Sequence, residues 1–280
     1  MASAARRPVI SLTRMRYGLF SDVHGNLPAL LAILDALSRL DIDAYVCAGD
    51  VVGYGPHPAA CVAAVESLRP AWVLGNHELL LLGRLPMEAA PPLVRNSIEW
   101  TRSVLPAETL RRLDRLPLTA SLAGGVIVAH GSLSDASVRI TRHPQMAAEL
   151  DKLNRAHPQA SVLVLGHTHR VVVADRERQV RWTGWRSRVQ LRSDRRYLVN
   201  PGSVGQARGC VGHARAAVLD TDARTLQLLA LRYEKASLEK DLAAAGLPTW
   251  SHHRSPLRRT RERIERKARS LFSGPGARNR

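Results

Sequence analysis

Cysteine is scarce in this 280-residue chain: Cys47, Cys61 and Cys210 stand far apart, and no CxxC pair is present. That usage excludes a disulfide framework and reads as reduced, mostly buried thiols of a cytoplasmic protein. Also missing is any apolar run long enough to span a bilayer, so no transmembrane helix is expected. The first twenty residues, MASAARRPVISLTRMRYGLF, are basic and acid-poor but lack the apolar core and cleavage site of a secretory signal. They read as a basic arm over residues 1–15, or as an over-extended start, with Met1 or Met15 as the initiator. Acidic residues are in deficit: 24 Asp and Glu face 41 Lys and Arg, a formal charge of +17. That imbalance favours polyanionic partners, whether nucleic acid, an anionic membrane surface or phosphorylated substrates, and does not define a fold.

What is present is a core. Hydrophobic residues make up 45 % of the chain, and its length suits one large α/β domain or two small ones. Strand and helix patterns alternate through the first two-thirds. Apolar strands are predicted at 17–20, 44–48, 71–74, 125–129 and 162–165. Helical periodicity covers Pro28 to Leu40, 57–69, two helices between Pro91 and Arg115 with Pro106 at their boundary, and 144–155. Such alternation predicts an α/β sheet covered on both faces. From residue 170 the pattern changes to hairpins, followed by strands near 214–219 and 225–233 and a helix at 236–245. The hairpins suggest a second, mixed or antiparallel sheet. No internal repeat is found.

The predicted strands share one peculiarity. GLFSDVHGN ends in Asp22 and His24, VCAGDVVGYGP in Asp50, WVLGNHE in Asn76 and His77, VIVAHGS in His130, and VLVLGHTHR in His167 and His169. In open α/β sheets the carboxyl ends of strands form the ligand crevice. The i, i+2 spacing of Asp22/His24 and His167/His169 puts both members of each pair on one side if the backbone is extended. Buried and unpaired, such groups would each cost several kcal/mol. Around divalent metals they become ligands. Their number exceeds the three or four that one zinc needs, so two ions ~3.5–4 Å apart with one bridging carboxylate fit better.

The ordered set DxH, GDxxG, GNHE, AHG and GHxH resembles the calcineurin-like metallophosphoesterase superfamily over roughly residues 16 to 233. GDVVGYGP and NPGSVGQ (200–206) resemble its compact bacterial phosphodiesterase branch. Tyr54 and Gly55 stand where the Ser/Thr phosphatases carry an Arg, which argues against a protein phosphatase. The resemblance implies a four-layer α-β-β-α sandwich with two mixed sheets, a metallophosphoesterase domain over 16–247 and a basic appendage over 248–280. It implies one metal on Asp22, His24, Asp50 and His169, and a second on Asp50, Asn76, His130 and His167. Mn, Fe, Co and Zn all suit that mixed donor set. Two dications would lower the pKa of a bridging water, and the resulting hydroxide would attack a phosphate ester in line. His77 is the candidate acid or electrostatic stabiliser for the leaving alkoxide, the alternative being a structural hydrogen bond to a carboxylate. Asn200 and Ser203 are expected to shape the pocket floor, and Arg170 to contact substrate. Glu78 replaces the Asp often found there, with no ligand role at stake.

Two basic regions bear on substrate and partners. Arg170, Arg176, Arg178, Arg181, Arg186, Arg188, Arg192, Arg195 and Arg196 surround Trp182 and Trp185. They read as phosphate forks with indoles for stacking, or as a solvated hairpin with its Trp packed inward. Residues 254–280 hold ten basic residues against two acidic ones, with Leu257, Ile264 and Leu271 seven apart. A basic amphipathic helix of that kind suits nucleic acid or peripheral contact with an anionic membrane, the alternative being a solubilising tail. Two functions of different class follow. One is a dinuclear metal-dependent phosphoesterase acting on a mono- or diester, with nucleotides or nucleic acid as candidate substrates. The other is a nucleic-acid- or complex-binding protein whose hydrolysis is secondary.

Overall fold

A computed structural model describes residues 15–181, 187–208 and 212–248. Most of the basic arm, Trp182, Trp185, Arg186, Cys210 and the Arg-rich tail from residue 249 lie outside the described residues. In chain order the strands are β1 (Arg16–Phe20), β2 (Ala44–Cys47), β3 (Ala71–Trp72), β4 (Thr119–Leu122), β5 (Val126–Ala129), β6 (Val162–Val164), β7 (Val171–Ala174), β8 (Gln179–Arg181), β9 (Ser187–Gln190), β10 (Tyr197–Pro201), β11 (His213–Asp220) and β12 (Thr225–Arg232). The α-helices are α1 (Leu27–Ser38), α2 (Pro58–Ser67), α3 (Asn76–Leu81), α4 (Pro92–Val104), α5 (Ala107–Asp114), α6 (His143–Ala156) and α7 (Ala236–Ala244).

The strands form two six-stranded mixed sheets, in the orders β3-β2-β1-β11-β12-β9 and β4-β5-β6-β10-β7-β8. The sequence reading expects a second, mixed or antiparallel sheet from the hairpin region. Instead the sheets are interleaved along the chain. Strands β9, β11 and β12 complete the first sheet, and the early strands β4, β5 and β6 open the second. The junction is β1, which pairs in parallel with β2 and antiparallel with β11, so Leu19 lies opposite both Val46 and Ala217.

Period-two alternation builds the layers, because successive side chains of a strand leave on opposite faces. Along β5, β6, β7 and β10, residues Val126, Val128, Val162, Val164, Val171, Val173, Tyr197 and Val199 point into a core shared with Tyr17, Leu19, Ala217, Leu219, Leu226 and Leu228 of the first sheet. The residues between them, Ile127, Leu163, Val172 and Leu198, pack instead on Met146, Leu150 and Leu153 of α6. The outer face of the first sheet carries Phe20, Ala216, Val218 and Leu229 against Leu30, Ile33 and Leu37 of α1 and Val62 and Val65 of α2. The result is helix, sheet, sheet, helix. Helix α1 starts where the Asn26 side chain accepts from Ala29 N at 3.2 Å, with Pro28 in the first turn.

Helix α3 and strand β4 are not legible in the sequence. Helix α3 is six residues long, and β4 is an edge strand with only exposed and half-buried positions. Strand β3 stops at Trp72 rather than Leu74. Cys47 and Cys61 are buried free thiols. No helix among the described residues is long and apolar enough to cross a membrane.

Candidate metal centre

Strands β1, β2 and β3 run parallel, as do β5 and β6, and the loops leaving their carboxyl ends carry Asp22, Asp50, His130, His167 and His169, with Asn76 at the start of α3 beyond β3. The extended backbone expected at the paired positions is not what is found. Asp22 (φ 54°), His24 (51°), His167 (64°) and His169 (59°) are all left-handed, and so is Asp50 (57°). The members of each pair converge through tight turns. A strand would leave the sandwich edge at once, whereas a left-handed step folds the chain back over it. Each such residue costs on the order of 1–2 kcal/mol. Cross-loop bonds hold the conformation, from Asp22 N to Gly49 O at 2.9 Å, His24 N to Asp50 O at 3.0 Å and Gly25 N to Val51 O at 2.8 Å. Two glycines make room. A Cβ on Gly75 would fall on Asp50 Oδ1, and one on Gly49 would lie 2.8 Å from His130 Nδ1.

The side chains meet in overlapping groups: Asp22, His24 and His169; His24, Asp50 and His77; Asp50, His130 and His167. Within each, one ligand atom per residue lies within 4.8 Å of the others. Asp50 Oδ2 is central, 3.2 Å from His130 Nε2, 3.8 Å from His24 Nε2 and 3.9 Å from His77 Nε2. Asp22 Oδ1 lies 3.3 Å from His169 Nε2, and Asn76 Oδ1 lies 3.2 Å from His130 Nε2. Three rings are oriented from behind, with Nδ1 of His24, His130 and His169 facing the carbonyls of Val52, Ala48 and Gln206 at 3.2, 2.6 and 3.1 Å. The Nε2 atoms of His24 and His169 therefore face each other, 3.1 Å apart. His167 Nε2 and His77 Nδ1 are buried without a hydrogen-bond partner. Asp50 Oδ1 accepts from His77 N at 2.9 Å, which ties α3 to the cluster.

Burial sets most of the charge states. It raises Asp22 to about 7, with Asp50 adding to the rise and His130 opposing it. Burial works against the ionised form of Asp50 too, but His130, His77 and His24 overcome it and hold this carboxylate well below its ordinary range. His130 is the reciprocal case: burial lowers it, and Asp50 more than compensates, to about 9. His167 is pushed down to about 3 by burial and then by His130; His169 falls by burial and His24, and His77 chiefly by burial.

Glu78 has a role that its place next to His77 does not announce. Its buried carboxylate accepts from Val51 N (2.7 Å) and Val52 N (3.1 Å) on Oε1, and from Asp50 N and Gly75 N (both 2.9 Å) on Oε2. It thereby binds the Asp50 loop to the start of α3. Asn200 and Ser203 are buried beneath the ligand loops and do not line the cleft. Asn200 Nδ2 donates to Gly166 O at 2.5 Å and Thr168 Oγ1 at 3.1 Å, and Ser203 Oγ donates to Asp22 O at 2.7 Å.

Above the cluster opens a cleft of about 550 Å³, floored by Asp50, Asn76, His77, His167 and His169. Tyr54 lines it too, its ring 4.8 Å from that of His24 and 4.7 Å from that of His77, with its hydroxyl pushed up to about 12 by burial. The cationic residues on the cleft are Arg139 and Arg208, neither singled out by the sequence. Arg170 is exposed and outside the lining. Several hairpin arginines are occupied elsewhere. Arg176 pairs with Asp151, Arg192 with Asp194, Arg195 with Asp175 and Glu177, and Arg196 donates to the Ala160 and Pro158 carbonyls.

Known proteins share this architecture. The crystal structure of a metallophosphoesterase from Sphaerobacter thermophilus matches with a TM-score of 0.72 and 31 % identity, covering 84 % of this chain and 95 % of its own. A hypothetical protein from Pyrococcus horikoshii OT3 shares the fold at a TM-score of 0.66 and 18 % identity, over 85 % of this chain and 98 % of its own. An uncharacterized protein of Methanocaldococcus jannaschii is 28 % identical over 244 residues, 85 % of this chain and 96 % of that one. A sequence model described as calcineurin-like phosphoesterase matches residues 15–183. With its fold, its His and Asp clusters and more than half its length so matched, the chain belongs to the calcineurin-like phosphoesterase family and is a metal-dependent phosphoester hydrolase.

Proposed function

We propose that the chain hydrolyses phosphomonoesters or phosphodiesters with two divalent ions. Asp22, His24, Asp50 and His169 would hold one, and Asp50, Asn76, His130 and His167 the other. The carrying observation is the orientation of the imidazoles. Carbonyls behind His24, His130 and His169 fix the proton on Nδ1, as carbonyls behind metal-bound histidines commonly do. Lone pairs on Nε2 of His24 and His169 then turn inward and face each other at 3.1 Å, and the buried Nε2 of His167 has no hydrogen-bond partner. Such an arrangement is repulsive unless a cation lies within it. The mixed oxygen and nitrogen donors suit Mn, Fe, Co or Zn.

When bound, the ions supply a nucleophile at neutral pH and neutralise phosphate oxygens. The chain does the rest. Asp50 stands between the two ligand groups and fixes their separation. His130, raised to about 9 chiefly by Asp50, would have to release a proton to serve as a ligand. His77 lines the cleft, and its Nε2 lies 3.9 Å from Asp50, too far for a hydrogen bond. That distance supports a role at the leaving oxygen over a structural bond to the carboxylate, and because burial lowers the pKa of His77 it would act there as a neutral hydrogen-bond donor. The catalytic unit is taken as residues 16–247, between the basic arm and the Arg-rich tail, and the buried thiols Cys47 and Cys61 suit a cytoplasmic setting.

The test is metal content beside turnover. After Mn addition the chain should hold about two ions and hydrolyse chromogenic mono- or diesters. Asp50→Asn should lower the affinity for both ions and remove most activity. Full activity after chelation, with no metal detected, would overturn the proposal.

A further inference from the structure

The cleft over the ligand cluster carries two features that hydrolysis of a bare phosphate ester does not need. The first is cationic. Arg39, Arg84, Arg111, Arg112, Arg192 and Arg195 each pair with a carboxylate. Arg139 and Arg208 have no such partner among the described residues, and both line the cleft. Arg208 is half-buried, and its backbone N donates to His169 O at 2.9 Å, which anchors it to the loop that bears a proposed ligand. Arg139 and Arg208 share this one cleft, and two like charges there repel each other. An anion seated on both relieves that repulsion and satisfies guanidinium donors otherwise left to water.

The second feature is apolar. One side of the cleft is built from Leu85, Pro86, Ala89, Pro91 and Leu93. Pro86, Ala89 and Pro91 are exposed there, although they adjoin the well-covered Ala90 and Val94. Prolines fix the backbone of this segment, so a ligand docking on it orders little chain. Inorganic phosphate or pyrophosphate would leave that wall wet. A neutral ester side group would leave the arginines unanswered. The volume, about 550 Å³, lies in the ordinary range for small organic ligands.

We propose that the substrate is a small organic phosphate ester with a second anionic group and an apolar body. Its scissile phosphate lies over the Asp50 cluster, the second anion on Arg139 and Arg208, and the apolar body on the Leu85–Leu93 wall. This rests on the phosphoesterase reading above and narrows its substrate class. Arg139 and Arg208 are specificity-determining residues in it, selecting among esters without taking part in bond cleavage.

The test uses the Mn-loaded full chain and four diesters that all release 4-nitrophenolate, so the leaving group stays constant. They are methyl 4-nitrophenyl phosphate, the thymidine 5′-ester, the same ester with a 3′-phosphate, and one with a 3′-carboxymethyl group. The thymidine body should raise kcat/KM about tenfold, and a 3′-anion about tenfold again. A gain with phosphate alone identifies a second phosphate, and equal gains with both identify any anion; either supports the proposal. Arg139→Gln with Arg208→Gln should reduce the anion gain to less than about threefold, and Arg208→Lys should restore part of it. Leu93→Asn should reduce the body gain while sparing the anion gain. Equal kcat/KM for all four esters overturns the proposal and leaves the phosphoesterase reading standing. If metal-loaded protein cleaves none of them but hydrolyses a monoester, the diester half of that reading fails, and calorimetry then decides the substrate class. Thymidine 3′,5′-bisphosphate binding no tighter than thymidine 5′-phosphate would overturn the proposal.

Discussion

Glu78 offers the sharpest test of how this centre is held. Its two carboxylate oxygens serve four backbone donors, those of Val51 and Val52 on one and of Asp50 and Gly75 on the other. Glu78→Gln keeps one acceptor oxygen and turns an NH2 group toward the other pair of donors. Two buried N–H groups then lose their partner, at about 1–3 kcal/mol each, partly recovered by relaxation. A net loss of about 2–4 kcal/mol is expected, which for a domain of this size is a Tm decrease of roughly 4–16 °C. Glu78→Ala orphans all four donors and leaves a cavity, so it should approach the whole stability of a domain, about 5–15 kcal/mol. The signature lies in the metal. Because the same bonds fix Asp50 and the start of α3, Glu78→Gln should weaken metal binding although Glu78 is not itself among the proposed ligands. Thermal denaturation with and without Mn, beside metal analysis after dialysis, measures both effects. A Glu78→Gln protein within about 0.5 kcal/mol of wild type, with unchanged metal content, would refute the argument.

Other substitutions and conditions follow from the same geometry. His77→Ala should lower kcat by about 10²–10⁴ with metal content near wild type, and by less on nitrophenolate leaving groups; an equal loss on good and poor leaving groups would reassign His77 to phosphate binding or structure. The metal-free chain should be most stable near pH 6.5. Below that, His167 (about 3 when folded) and His169 take up protons only on unfolding, which outweighs the opposite effect of Asp22 (about 7), so stability falls with pH. Above it the contribution of His130 (about 9) is lost as pH rises. A chelated protein whose Tm rises steadily from pH 5 to pH 9 would contradict this assignment of protons. Deleting residues 254–280 should leave hydrolysis of a small chromogenic ester unchanged, since every proposed ligand precedes residue 170. If the tail binds nucleic acid, its removal should also flatten the salt dependence of that binding, by about 0.9 for each duplex phosphate that the tail neutralises.

The centre is more legible in the sequence than the fold that carries it. Asp, Asn and His at the ends of five apolar strands survive as a pattern because the chemistry needs particular donor atoms. Their backbone is not legible. Asp22 and His24 are spaced as a strand would space them, yet both are left-handed, a conformation fixed by bonds to a loop 26 or 27 residues away and by glycines at its corners. Interleaving of the sheets is hidden for a related reason: alternation along β9, β11 and β12 shows that each has two faces, not which sheet it joins. Strand β4 has only Ala120 and Leu122, both half-buried, for an apolar face, too few to mark a strand, and α3 is too short to show a period. Arg139 and Arg208 are single basic residues in a chain rich in them, so only three dimensions set them apart from Arg170 or the hairpin arginines. Glu78 adjoins the motif, but its four bonds depend on two loops meeting.

The pairing of β1 with β11 has a consequence for synthesis. Arg16 lies opposite Asp220, and Leu19 opposite Ala217, so one edge of β1 has its partner about 200 residues later in the chain. At ribosomal speeds of roughly 5–20 residues per second, that partner is made on the order of 10–40 s after β1 itself. During this interval β1 and β2 can pair, and the loops with Asp22 and Asp50 can approach, but the far edge of β1 stays open and apolar. The first-made donors wait even longer for a complete site than for His167 and His169, because the strand that seals their sheet is translated after both histidines. A nascent chain therefore presents half of the proposed metal site beside an unsealed strand edge, and premature capture of an ion there would compete with the pairing that finishes the sandwich.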